Sequence, residues 1–132
     1  MKMIGDKIAL DTNIVIEVLS GNTEIARKIN ELPVVLISSI VLGELYIGIN
    51  RVTNKKKHLK RFNSFLSGCT VIDIDAETAV HYGEMVAKLY KKGKLIPTND
   101  IWIAASAKQH GHTLITRDKH FKEIDGVEIQ HW

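Results

Sequence analysis

The chain has a single cysteine, Cys69, so it cannot form an internal disulfide. That fits a reducing compartment and leaves Cys69 as a core residue or a bland surface thiol. Prolines number only two among 132 residues. With no internal repeat, low-complexity segment or Pro-rich linker to divide it, the chain is expected to form one domain over 1–132, long enough to bury a real core. No apolar run reaches the length of a membrane span, and the N-terminus lacks a signal-type apolar stretch with a cleavage site. The default expectation is therefore the cytoplasm, away from membranes. Disorder is excluded by composition, since 45% of the residues are hydrophobic.

Acidic residues are slightly outnumbered, with 18 Lys and Arg against 15 Asp and Glu and a net charge of +3. The ordinary reading is a solvated, mildly basic surface. If four of the acids gather in one site, the remaining body becomes markedly basic. A basic body around an acidic pocket suits a polyanionic substrate that needs a metal.

The stretch Ile8-Ala9-Leu10-Asp11-Thr12-Asn13 sets the organisation. A short apolar run that ends in an acid, a hydroxyl and an amide reads as a buried strand with polar residues just past its C-terminal end. In open α/β sheets that edge binds ligands. Thr12 or Asn13 is expected to cap a helix over 14–20, leaving Asp11 at the lip of the sheet. The alternative is that Asp11 merely helps the turn.

Downstream the pattern alternates. A helix over 23–32 leads to a strand over 34–37, rich in β-branched residues. The next helix, 40–50 with Ser38 or Ser39 as N-cap, is apolar on nearly every side and carries Glu44 as its only charge. A carboxylate in such surroundings is costly unless paired or bound to a metal, which favours function over a buried salt bridge. Residues 51–66 carry Lys55, Lys56, Lys57, Lys60 and Arg61 on a helix whose other side holds Leu59, Phe62 and Leu66. Most of these lysines read as a solvated face. A strand over 70–74 precedes a helix over 76–92 capped by Asp75, with Ala79, Tyr82, Val86 and Leu89 inward. The helix over 100–110, capped by Thr98 or Asn99, has Asp100 in its first turn, where an acid also suits the helix dipole. Thr113–Thr116 is a further strand, followed at once by Arg117-Asp118. Phe121 is expected to pack back on the core, and 127–130 to form an edge strand. The histidines look scattered, and His110 and His112 look solvated, with nothing to complete a zinc site.

Strands alternating with helices predict a three-layer α/β/α fold around a parallel sheet of four to five strands, Rossmann-like in outline. Asp11 and Asp118 then fall on one edge, with Glu44 and Asp100 able to point there. Four clustered carboxylates repel one another unless a divalent cation neutralises them. Hard oxygen ligands, with neither Cys nor His beside them, select Mg²⁺ or Mn²⁺.

Four motifs in this order carry a resemblance: Leu10-Asp11-Thr12-Asn13, Gly43-Glu44-Leu45, Pro97-Thr98-Asn99-Asp100 followed by Ile103-Ala104-Ala105, and Thr116-Arg117-Asp118. Together they resemble the PIN-domain nucleases, in the short form of the VapC-type toxins of toxin–antitoxin pairs, along essentially the whole chain. The resemblance implies a catalytic quartet of Asp11, Glu44, Asp100 and Asp118, supported by Thr12, Asn13 and Thr116. Asp11, Asp100 and Asp118 are the expected metal ligands for Mg²⁺ or Mn²⁺. It further implies an endoribonuclease that uses a metal-activated water on RNA, a homodimer, and a small cognate VapB-like antitoxin. Two rivals remain at this point. A haloacid-dehalogenase-type phosphatase also begins with Asp after its first strand, but wants a second acid where this chain has Asn13. A non-catalytic PIN-like binding module would not need all four acids.

Overall fold

A computed structural model describes residues 7–132; residues 1–6 of the expected 1–132 unit, which include most of the N-terminal stretch read for a signal segment, lie outside the described residues. The elements run β1 (Lys7–Leu10), α1 (Thr12–Leu19), α2 (Thr23–Asn30), β2 (Val34–Ser38), α3 (Ser39–Arg51), α4 (Lys55–Leu66), β3 (Thr70–Ile72), α5 (Ala76–Lys92), α6 (Thr98–His110), β4 (Thr113–Thr116) and β5 (Glu128–His131), with a short 3₁₀ turn at Lys119–Glu123. All strand pairings are parallel, in the order β3-β2-β1-β4-β5. Successive strand residues face opposite sides of a sheet, yet Ile8, Ala9 and Leu10 of β1 and all of β4 are buried. Both faces of the central strands are therefore covered, as the parallel three-layer expectation requires. α1 packs against β4, α3 against β2 and β3, and α6 against β4 with α5 on it.

The connections from β1 through β3 step outward in one direction, and the return to β4 crosses back past β1. The order therefore reverses between β1 and β4, and a crevice opens there at the strands' C-terminal ends. Asp11 follows β1 and Asp118 follows β4.

Several local expectations change. Asp11 itself is the N-cap of α1, its carboxylate accepting from the Thr12 N–H, so neither Thr12 nor Asn13 caps. Pro97 begins α6 with no side-chain cap, in place of Thr98 or Asn99. Its fixed φ is already compatible with a helix start. The helix expected over 51–66 is shorter, because Arg51 ends α3 and Asn54 caps α4 at Lys55. Ala79 is exposed, and the inward face of α5 is Thr78, Met85 and Leu89, with Tyr82 and Val86 half-buried. His112, expected to be solvated, is buried beside His110 with ring centroids 5.3 Å apart, and burial pushes it down to about 4. Cys69 is half-buried, and burial pushes its thiol up to about 11, which makes it unreactive. Phe121 is fully buried, as expected. Among the described residues no helix is long and apolar enough to cross a membrane.

α3 departs most from its pattern. It buries only Val41, Leu45 and Ile49, while Tyr46 stands edge-on to Phe62 and Ile47 is 58% exposed. Glu44 is thus half-buried at a boundary, not enclosed by an apolar helix.

Candidate active site

Asp11 lies deepest, with 4% of its surface exposed. Its Oδ1 accepts the Thr12 N–H at 2.8 Å and its Oδ2 accepts the Thr116 hydroxyl at 2.6 Å. The Thr116 hydroxyl also accepts the Asp118 N–H at 2.9 Å. Since β1 and β4 are paired neighbours, this hydroxyl joins the two strand-end acids into one unit. On the other side, the Thr12 hydroxyl donates to Glu44 Oε1 at 2.7 Å, tying α1 to α3. Asn13 accepts the Arg117 N–H at 3.2 Å and holds the start of the turn after β4. A phosphatase-type second acid at this position is replaced by an amide with a structural task. Thr12, Asn13 and Thr116 each therefore position an acid or its loop.

Asp100 stands in the first turn of α6 with its side chain 15% exposed. Burial raises its pKa to about 6, with the nearby charges of Asp11, Asp118 and Glu44 pushing the same way and a hydrogen bond with His120 opposing them. Burial likewise raises Asp11, opposed by the Thr116 and Thr12 hydrogen bonds and reinforced by the charges of Glu44 and Asp118. Like-charge repulsion among all four acids is the electrostatic signature of one shared site.

The closest potential ligand set among the described residues is Asp100, Asp118 and His120, whose donor atoms lie within 4.8 Å of one another. Asp11 and Glu44 are outside this tightest set but near enough for their charges to act on it. His120 corrects the expectation that no histidine sits beside the acids: its Nδ1 lies 3.1 Å from Asp118 and 3.6 Å from Asp100. The available signal was its place two residues after Asp118, within reach of a turn capped by that acid. The donor set fits a divalent cation, because two carboxylates and an imidazole nitrogen converge there and, among the described residues, no Lys or Arg forms an ion pair with either acid.

A family model described as PIN domain matches residues 8–127. The chain is 35% identical over 129 residues to "Ribonuclease VapC2" of Haemophilus influenzae, covering 96% of this chain and 98% of that protein. It is 32% identical to the "tRNA(fMet)-specific endonuclease VapC" of Salmonella typhimurium, again over 96% of this chain and 98% of the other. Its fold overlays the DNA-bound VapBC crystal structure from Salmonella typhimurium with a TM-score of 0.90 at 32% identity, covering 98% of this chain and 99% of that one. With the motifs, the sheet order and these end-to-end matches in agreement, the chain belongs to the PIN-domain family, in its VapC branch.

Proposed function

We infer that this chain is a single PIN-like nuclease domain that cleaves RNA phosphodiester bonds as the toxin of a toxin–antitoxin pair. The observation that carries the chemistry is the convergence of Asp11, Glu44, Asp100 and Asp118 at the β1/β4 crevice, where burial raises Asp11 and Asp100 and the neighbouring acids add to it. We propose Asp11, Asp100 and Asp118 as ligands of Mg²⁺ or Mn²⁺, and all four acids as the catalytic set. The bound cation supplies activation of a water and neutralisation of charge on the phosphate. The protein's own part is orientation. Thr116 fixes the Asp11 carboxylate relative to the backbone of Asp118, and Thr12 holds Glu44 where it can accept a proton from a water at the crevice. The basic body outside the site draws in the RNA backbone. Incubating the purified chain with cellular RNA and Mg²⁺ tests the function: RNA fragments with no release of phosphate from an aryl phosphate is the expected result. The reverse pattern would restore the phosphatase rival.

A groove on the surface supports a seat for the partner. A groove of about 350 Å³ runs between α1, α3 and α4, walled by Ile16, Leu19, Leu45, Gly48 and Ile49, and it has Glu44 on its rim. Ile49 of α3 lines the same groove as Glu44. A mainly apolar trough with Glu44 in its lining suits an amphipathic segment that carries an Arg or Lys toward the acids. The antitoxin is proposed to bind there, and exposed Val80, Tyr90 and Leu95 offer apolar surface for the proposed homodimer. Gly48 has nothing within 4 Å of the position a Cβ would take, so Gly48→Phe fills the trough without a backbone clash. Purification from the native host is expected to yield a small co-purifying chain with the wild type. Gly48→Phe should weaken that complex by about tenfold or more while the fold is unchanged. Free, active wild-type enzyme with no small partner would refute the toxin assignment.

A further inference from the structure

We propose that His120 is a nitrogen ligand of the cation held by Asp100 and Asp118, and that it makes this centre favour Mn²⁺ over Mg²⁺. His120 in this role presupposes the metal-dependent nuclease proposed above.

The first support is how the ring is aimed. Asp118 caps the 3₁₀ turn Lys119–Glu123 and accepts the His120 N–H at 2.9 Å. Phe121, the next residue, is fully buried and anchors the turn. The backbone at His120 is therefore held from both sides even though its side chain is 54% exposed. The ring folds back so that Nδ1, not Nε2, faces the two carboxylates.

The second support is spacing. Two ligand atoms at right angles on a six-coordinate ion, each about 2.1 Å from it, lie about 3.0 Å apart. His120 Nδ1 and Asp118 Oδ1 are 3.1 Å apart, and Nδ1 to Asp100 Oδ2 is 3.6 Å. With all three donor atoms within 4.8 Å of one another, a modest closing of the two carboxylates brings them around one ion. Ligation requires the neutral ring, with its remaining proton on Nε2, on the exposed side.

The third support is chemical preference. Mg²⁺ strongly prefers oxygen and gives up its waters reluctantly. Mn²⁺ accepts imidazole more readily and binds more tightly to mixed nitrogen and oxygen sites. A two-carboxylate, one-imidazole set tilts selection toward Mn²⁺ in a family site otherwise built of oxygen.

The test uses the full chain stripped of metal, loaded with Mn²⁺ alone and without RNA. Pulsed electron paramagnetic resonance should show ¹⁴N coupling to Mn²⁺ in the wild type, lose it in His120→Ala, and keep it in His131→Gln. In His120→Ala the ratio of Mn²⁺ to Mg²⁺ affinity should fall about tenfold, with circular dichroism unchanged. Coupling that is absent in the wild type, or that persists in His120→Ala, overturns the proposal, as does an unmoved affinity ratio. Failure of Mn²⁺ to bind overturns it too. RNA cleavage in Mg²⁺, measured separately, then shows whether the nuclease assignment falls with it or stands alone.

Discussion

Asp100→Asn is expected to give a well-folded protein whose RNA cleavage is lower by on the order of a thousandfold or more, the loss that follows removal of a charge from a metal-dependent phosphate-cleaving centre. The same substitution should raise the stability of the metal-free protein at pH 7 by about 1–2 kcal/mol. The reason is that Asp100 is pushed up to about 6 by burial and by three neighbouring acids, so its charge opposes folding when no cation is present. Its oxygen meets His120 at 3.6 Å, a contact an amide can keep. Asp11→Asn should also abolish cleavage but not stabilise. The Asp11 Oδ2 accepts the Thr116 hydroxyl, and that hydroxyl already accepts the Asp118 N–H. An amide nitrogen in place of Oδ2 brings a second donor to Thr116 and leaves the hydroxyl proton without its acceptor. Thermal melts in EDTA and a gel assay with Mg²⁺ separate the two effects. Full activity in folded Asp100→Asn would remove Asp100 from the catalytic set.

Removing the metal should abolish cleavage and reverse how stability responds to pH. EDTA is expected to stop RNA cleavage, and Mg²⁺ or Mn²⁺ to restore it. In EDTA the folded chain holds a proton on Asp100 up to about pH 6, whereas the unfolded chain releases it near 3.8. The folded state therefore binds more protons between those values, and stability falls as pH rises through that window. Above it both states are ionised and the penalty stays constant at about 3 kcal/mol. Asp11, also raised, adds in the same direction. Saturating Mg²⁺ binds the ionised carboxylates of the folded chain only, so the decline should flatten or invert, separating melting temperatures at pH 7 by roughly 10 °C. Parallel melts from pH 4 to pH 7.5, with and without Mg²⁺, measure this. Cleavage undiminished in EDTA, together with identical melting curves, would rule out a metal centre at these acids.

Much of this architecture was legible in the order of residues. Ile8-Ala9-Leu10, Val35-Leu36-Ile37 and Leu114-Ile115 are continuous apolar runs, and all of them are buried on both faces of a parallel sheet. Asp75 was readable as a cap because an acid directly preceded a helical pattern, and it forms a full capping box with Thr78. The four acids stood out because each followed a strand or lay on a helix with few other charges. Caps next to strand ends were less legible. Asp11, Thr12 and Asn13 are all good capping residues, and only the extended backbone at Asp11 decides which one is used.

By itself the sequence determined the fold class, the carboxylates available for chemistry and the family pattern, because local periodicity specifies which face of each segment is buried. Only the tertiary structure decided how the acids meet. Thr116 reaches Asp11 across 105 residues because β1 and β4 are paired in parallel register, with Leu10 opposite Ile115. Glu44 lies half-open on a groove because α3 packs along one face alone, although its composition suggested burial all round. His120 joins Asp100 across 20 residues because the turn after β4 is anchored by Phe121 and folds toward the first turn of α6. Each of these contacts depends on strand register and on which helix crosses which strand, and that information is distributed over the whole core, not carried by the residues that touch.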